Sequence, residues 1–141
     1  MQKGKVFKST KTYTHAEGLS CCFRQHRAKS HCQYIHGYAL QVRIVFGCSE
    51  LDERNWVVDF GGLKDLKAWL KATFDHKMLV AKDDPMINQL GDLAQDGWGL
   101  AQIVYVDNVG CEGFAEMIFD KAEQLINPNT CLLYTSPSPR D

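Results

Sequence analysis

The alternation from Leu40 to Phe46 restricts this chain more than any other stretch. Leu40, Val42, Ile44 and Phe46 fall on one side of an extended backbone, and Gln41 and Arg43 fall on the other. That pattern predicts a strand with one buried face. Such a face must be covered, so the chain needs helices or a second sheet to pack against it. The strand is fed by Ser30-His31-Cys32-Gln33-Tyr34-Ile35-His36-Gly37, which places a thiol between two imidazoles. A soft nucleophile and ring nitrogens leading into a rigid strand suit a site whose geometry must be held. Taken singly, Cys32 reads equally well as a small packed hydrophobe and the histidines as solvated loop residues.

The remaining elements follow from period and punctuation. Val6 to Phe23 supplies one or two strands broken near Glu17-Gly18, and Trp56 to Phe60 reads as a short partner strand beyond a polar loop. Leu63, Leu66, Trp69, Leu70 and Phe74 recur at helical spacing, with Lys64, Lys67 and Lys71 opposite them. This helix is expected to end near Asp75-His76, and Asp83-Asp84-Pro85 is a stop. Residues 86–99 are weakly patterned and read as a short helix and a loop, and Ile103 to Val106 reads as a short strand. A second amphipathic helix carries Phe114, Met117, Ile118, Ala122 and Leu125. The order predicts an α+β fold, an antiparallel sheet with two helices on one face. A half-covered sheet tends to pair with copies of itself, so a homo-oligomer is expected.

Length and charge bound the class. The 141 residues suffice for one domain, assigned to residues 1–130. Residues 131–141 have no period that builds an element and end in Ser136-Pro137-Ser138-Pro139-Arg140-Asp141. They are expected to be a disordered, non-native tail standing in place of the original C-terminal end. A formal net charge of -1 argues against nucleic acid or a membrane surface as partner. The basic run Arg24-Gln25-His26-Arg27-Ala28-Lys29 is the exception and offers a landing strip for phosphate. Six cysteines without CxxC spacing, and no apolar export segment, predict reduced thiols and a cytoplasmic location. A small structural zinc domain built from Cys21, Cys22, His26, His31, Cys32 and His36 stays open at this point, although paired ligand knuckles are lacking.

Four blocks in order carry a resemblance: Cys32-Gln33-Tyr34-Ile35-His36-Gly37-Tyr38, Val57-Val58-Asp59-Phe60-Gly61-Gly62-Leu63-Lys64, Phe74-Asp75-His76-Lys77-Met78-Leu79 and Cys111-Glu112-Gly113-Phe114-Ala115. Over roughly residues 19 to 126 the chain resembles the 6-pyruvoyl- and 6-carboxy-tetrahydropterin synthase family, of the tunnelling fold. The resemblance implies a lyase acting on the small molecule 7,8-dihydroneopterin triphosphate; between a biopterin-type rearrangement and the 6-carboxy branch that leads to queuosine, analogy with cytoplasmic prokaryotic chains favours the second. By position it implies Cys32, Asp75 and His76 as catalytic groups. Arg24, Arg27 and Glu112 are the substrate-binding candidates. A catalytic Zn²⁺ is implied as well, with His36 as one ligand and His15 and His31 as candidates for the others. Two departures stand out. Tyr38 replaces the second histidine of the family's His-Gly-His, and Phe23 stands where another zinc histidine usually falls. The family also closes its sheet with two more strands, which this chain is expected to lack. A non-catalytic homologue that binds a pterin or purine is the alternative reading.

Overall fold

The structure is a computed structural model that describes residues 5–95 and 102–126, together with the backbone of residues 131–140. Its six strands are β1 (Phe7–Tyr13), β2 (Ser20–Phe23), β3 (His36–Cys48), β4 (Lys77–Ala81), β5 (Gln102–Val106) and β6 (Cys131–Arg140). The helices are α1 (Lys64–Phe74), α2 (Ile87–Gln95) and α3 (Cys111–Leu125). Among the described residues no helix is long and apolar enough to cross a membrane.

The hydrogen-bonded path runs β1-β3-β2-β4-β5, with β6 also on β3. Register shows how β3 accommodates three partners. Val42 pairs with both Tyr13 and Pro137, and Ala39 with both Ser20 and Arg140. A strand has only two edges, so β1 and β2 lie on the same edge of β3 and β6 lies on the other. β1 and β2 are thus one antiparallel partner interrupted by residues 14–19, which stand opposite only Leu40 and Gln41. A 3₁₀ turn at His15–Glu17 takes up part of this excursion. Gly18, at φ +87°, turns the chain back toward β2.

The predicted alternation in β3 is present. Leu40, Val42, Ile44 and Phe46 are fully buried, and they join Leu66, Leu70 and Phe74 of α1 and Phe114, Ile118 and Ala122 of α3 in one core. Aromatic rings link the sheet to both helices: Phe114 meets Phe23 edge-on at 5.1 Å and Phe74 at 5.2 Å between centroids.

Four expectations are corrected. The sheet is mixed, because β4 runs parallel to both β2 and β5. A third helix is present: α2 sets Leu90 against Met78 and Val80, on the face of β4 opposite to Leu79. Trp56 to Phe60 is not a strand. Asp52 accepts the N–H groups of Arg54 and Trp56 at 2.8 and 2.9 Å, and Asp59 caps a 3₁₀ turn through Gly61 N–H at 2.8 Å. Side-chain acceptors there take backbone donors that a ladder would have used. Lastly, Cys131–Arg140, expected to be a disordered tail, forms β6 along the free edge of β3. Its prolines, Pro137 and Pro139, are two residues apart, so both missing N–H groups fall on the same edge of β6.

One polar contact ties the segment after β2 to the segment after β4. Arg24 donates from Nε and one Nη to Asp84, each at 2.8 Å, and from the other Nη to the Gln33 carbonyl at 3.3 Å. The Asp84 carboxylate also accepts Met86 N–H at 2.8 Å, and the residue is only 3% exposed. A bidentate guanidinium–carboxylate pair at such depth is stabilising only while both members are present.

Two stability measurements check this account. Phe114→Ala removes the ring that joins both helices to the sheet and is expected to cost about 3–5 kcal/mol in urea unfolding, against about 1 kcal/mol for Phe114→Leu. Hydrogen bonds from Arg24 hold the Asp84 carboxyl below its usual range. A carboxylate depressed in the folded state contributes fully above its unfolded value, near about pH 3.9. That contribution is lost as pH falls through the lower folded value. Asp84→Asn should therefore be less stable at neutral pH and show a shallower loss of stability on acidification.

Candidate functional site

β2 ends at Phe23 and β3 begins at His36, and these residues face each other across the ladder. The connection between them is drawn into a compact loop. Gln25 N–H donates to the Cys32 carbonyl at 2.9 Å, and Ala28 N–H to the Gln25 carbonyl at 3.0 Å. Ser30 caps a 3₁₀ turn, His31–Gln33, by accepting Cys32 N–H on Oγ at 3.3 Å. Cys32 is thereby fixed by backbone hydrogen bonds on both its N–H and C=O while its side chain remains half-buried. His36 Nδ1 lies 2.8 Å from the Tyr34 carbonyl. A carbonyl only accepts, so Nδ1 carries the proton and the neutral ring keeps its lone pair on Nε2. The His31 ring meets His36 edge-on, with centroids 5.8 Å apart.

The thiols of Cys21, Cys22 and Cys111 are pushed up by burial, Cys21 to about 12, and so stay protonated. Glu112 lies in the first turn of α3, where the helix dipole favours a carboxylate. The turn into that helix sits against the Cys32 loop. A Cβ on Gly110 would stand 3.4 Å from Gln25 Oε1 and 3.7 Å from Glu112 Oε2. Of the basic run, Arg24 is committed to Asp84 and Gln33. Arg27 pairs with Asp83 but stays 80% exposed, and His26 Nε2 lies 3.1 Å from the same carboxylate. A cleft of about 120 Å³ separates this loop from the segment after β5, lined by Gln25, His26, Arg27, Asp83, Asn108 and Val109 among others. That is small for a drug-sized ligand, which takes about 300 Å³ or more.

Asp75 and His76 gather at the opposite end of β2. His76 N–H donates to the Ser20 carbonyl at 2.6 Å, and Ser20 N–H reaches Asp75 Oδ1 at 3.3 Å. Asp75 Oδ1 also lies 2.9 Å from His76 Nδ1. The His76 backbone is left-handed, at φ +55°, while its side chain is 83% exposed. A non-glycine residue in that region costs on the order of 1 kcal/mol and is held there by its surroundings. The result is a carboxylate anchored on backbone, orienting an imidazole that points to solvent. β2 runs between the two clusters, and its four residues span roughly 10 Å. Within one chain, then, His31 and His36 come together with Cys32 in the same turn, and Asp75 and His76 pair, but the two groups lie at opposite ends of β2.

The described side chains do not assemble the donors that the expected zinc would need. Among the described residues no three His, Cys, Asp or Glu side chains are placed to hold a metal. His15 belongs to the excursion before β2, and its side chain lies outside the described residues. The neighbours of His36 on the same face are Phe23 across the ladder and Tyr38 two residues along, and their rings stack at 4.4 Å. A catalytic zinc takes three protein ligands and an open position. The set found here does not fit one. Sequence reasoning missed Asp83 and Asp84, read only as a helix stop; their partners Arg27 and Arg24 are 56 and 60 residues away, with no local signal.

Residues 12–135 match the sequence profile of the 6-pyruvoyl tetrahydropterin synthase family. A 6-carboxy-5,6,7,8-tetrahydropterin synthase of Rickettsia bellii is 40% identical over 68 residues, 45% of this chain and 49% of that protein. One from Aquifex aeolicus is 26% identical over 117 residues, 82% of this chain and 69% of that protein. The chain thus spans about half the length of the Rickettsia relative. Among solved structures, an uncharacterized protein of Wolinella succinogenes superposes with TM-score 0.80 at 17% identity, covering 97% of both chains. The 6-pyruvoyl tetrahydropterin synthase of Plasmodium falciparum gives 0.61 at 10% identity, over 95% of this chain and 90% of that one. These likenesses establish the fold, and with the profile match they show that the chain belongs to the 6-pyruvoyl tetrahydropterin synthase family.

Proposed function

We propose that this chain is the site-bearing part of a 6-carboxy-tetrahydropterin synthase-type lyase acting on 7,8-dihydroneopterin triphosphate, on the route to the deazapurine of queuosine. The observation that carries this reading is the Asp75–His76 pair, an imidazole held in a left-handed turn and oriented by an anchored carboxylate. Such a group suits proton exchange with a substrate hydroxyl. Cys32 supplies the second group: as thiolate, it takes a proton from the side-chain carbon next to that hydroxyl, and triphosphate departs as the leaving group. Arg27 is an exposed cation of the loop and suits the triphosphate; Glu112 suits a ring N–H of the pterin. The names of the Rickettsia and Aquifex relatives favour the 6-carboxy product.

Because Cys32 and His76 stand at opposite ends of β2, the site is complete only when a second copy brings its Asp75–His76 to the first copy's Cys32. The protein is accordingly a homo-oligomer in this reading, acting in the cytoplasm. One observation favours a pterin-binding homologue without turnover: the Phe23–Tyr38 stack at positions where the resemblance places metal ligands.

The test is turnover of the triphosphate by single and mixed variants. Cys32→Ala and His76→Ala are each expected to lower kcat by about 10²–10⁴. Co-refolded together, they should regain part of the activity, because some mixed interfaces carry one intact pair. Full activity in Cys32→Ala would remove the thiol from the mechanism. Absence of turnover in the parent protein, with tight pterin binding, would favour the non-catalytic reading.

A further inference from the structure

The face of the sheet around His36 has a composition that decides what it can bind. Register sets Phe23 directly opposite His36 and Cys21 opposite Tyr38, so these four side chains share one face at the start of β3. Phe23 is 2% exposed, lies 23° from parallel with the Tyr38 ring at 4.4 Å, and continues through Phe114 and Phe74 into the core. Phenylalanine offers no ligand atom. Tyrosine is outside the usual zinc ligand set of Cys, His and Asp or Glu. Burial pushes Cys21, the nearest thiol on this face, to about 12, away from the thiolate that metals require. Among the described residues His36 then has only His31 beside it, edge-on with ring centroids 5.8 Å apart, and two imidazoles fall short of the three protein ligands of a catalytic zinc.

We infer that this chain is a zinc-independent member of its family, in which the stacked Phe23–Tyr38 pair closes the metal position with aromatic packing. Packing takes over the role of ligation: the start of β3 is fixed to β2 by a ring contact continuous with the hydrophobic core, and no metal is needed to hold His36 in place. Apolar contact of this kind is indifferent to chelators and to divalent cations, whereas a structural or catalytic metal couples folding and occupancy to both. The inference rests on family membership and on these side chains, and is independent of the reaction proposed above.

The experiment measures metal by inductively coupled plasma mass spectrometry on the full chain, alongside melting temperature with and without EDTA. The expected result is far less than one zinc per chain and a melting temperature that EDTA leaves unchanged. The double variant Phe23→His with Tyr38→His should then take up about one zinc per chain and melt higher when zinc is added. Should removal of the buried Phe23 ring unfold that variant, Tyr38→His alone places two imidazoles on one strand face and should gain a zinc-dependent rise in melting temperature. About one zinc per parent chain surviving mild chelation overturns the inference, as does a folded double variant that takes up none. Turnover is assayed on the same samples. Zinc-free protein without turnover counts against the proposed reaction and leaves the metal inference standing, while zinc-loaded active protein does the reverse.

Discussion

The short ladder between β2 and β3, Ser20–Phe23 against Ala39–His36, is the contact on which both halves of the site depend. Its Phe23 end seeds the aromatic chain into α1 and α3 and launches the loop that fixes Cys32. At its Ser20 end the N–H donates to the Asp75 carboxylate and the C=O accepts His76 N–H, which seats the Asp75–His76 turn. Four residues thus serve as the rigid spacer between two chemical groups, and rigidity comes from burial on both sides. Tyr13, Cys21 and Phe23 pack under the helices, while Cys22 packs toward the cluster beneath α2. Sites built on strands hold their geometry better than sites built on loops alone. Here the loop gains similar definition from Gln25, Ser30 and the Arg24–Asp84 pair.

Much of this was legible in the chain itself. β3 declared itself by alternation because one face is packed and the other carries Gln41 and Arg43. α1 and α3 declared themselves through apolar stripes of helical period. β4 did not, for a physical reason: Met78, Leu79, Val80 and Ala81 are all buried, so a parallel strand covered on both faces reads as an unbroken apolar run. Trp56 to Phe60 misled in the opposite sense. Its residues favour a strand, yet Asp52 and Asp59 capture the local N–H groups, and Arg54 covers the Trp56 ring at 4.2 Å. β6 was hidden by its prolines, which composition alone assigns to a tail.

For the candidate site, local signals nominated Cys32, His36 and the Asp75-His76 pair, since each lies within a short block. They did not reach the arrangement. The Arg24–Asp84 clamp joins residues with no sequence relation, and the separation of the two clusters depends on the direction in which β4 runs beside β2. Within the basic run read as a phosphate site, Arg24 is paired with the buried Asp84 and Arg27 faces solvent beside Asp83.

The excursion between β1 and β2 carries a consequence for how this chain can vary. Tyr13 pairs with Val42 and Ser20 with Ala39, so six residues, 14–19, stand opposite two, and the surplus is four. An even surplus preserves side-chain parity: Tyr13 and Phe23 stay on the helix-covered face despite the interruption. Lengthening or shortening the excursion by one residue, with the β2 pairing re-formed one step along, would turn Phe23 outward and bring Cys22 beneath the helices. Changes by two would leave the faces as they are. The excursion can therefore change length only while the β2–β3 register is kept, a constraint imposed by the strand on a segment that otherwise looks free to drift.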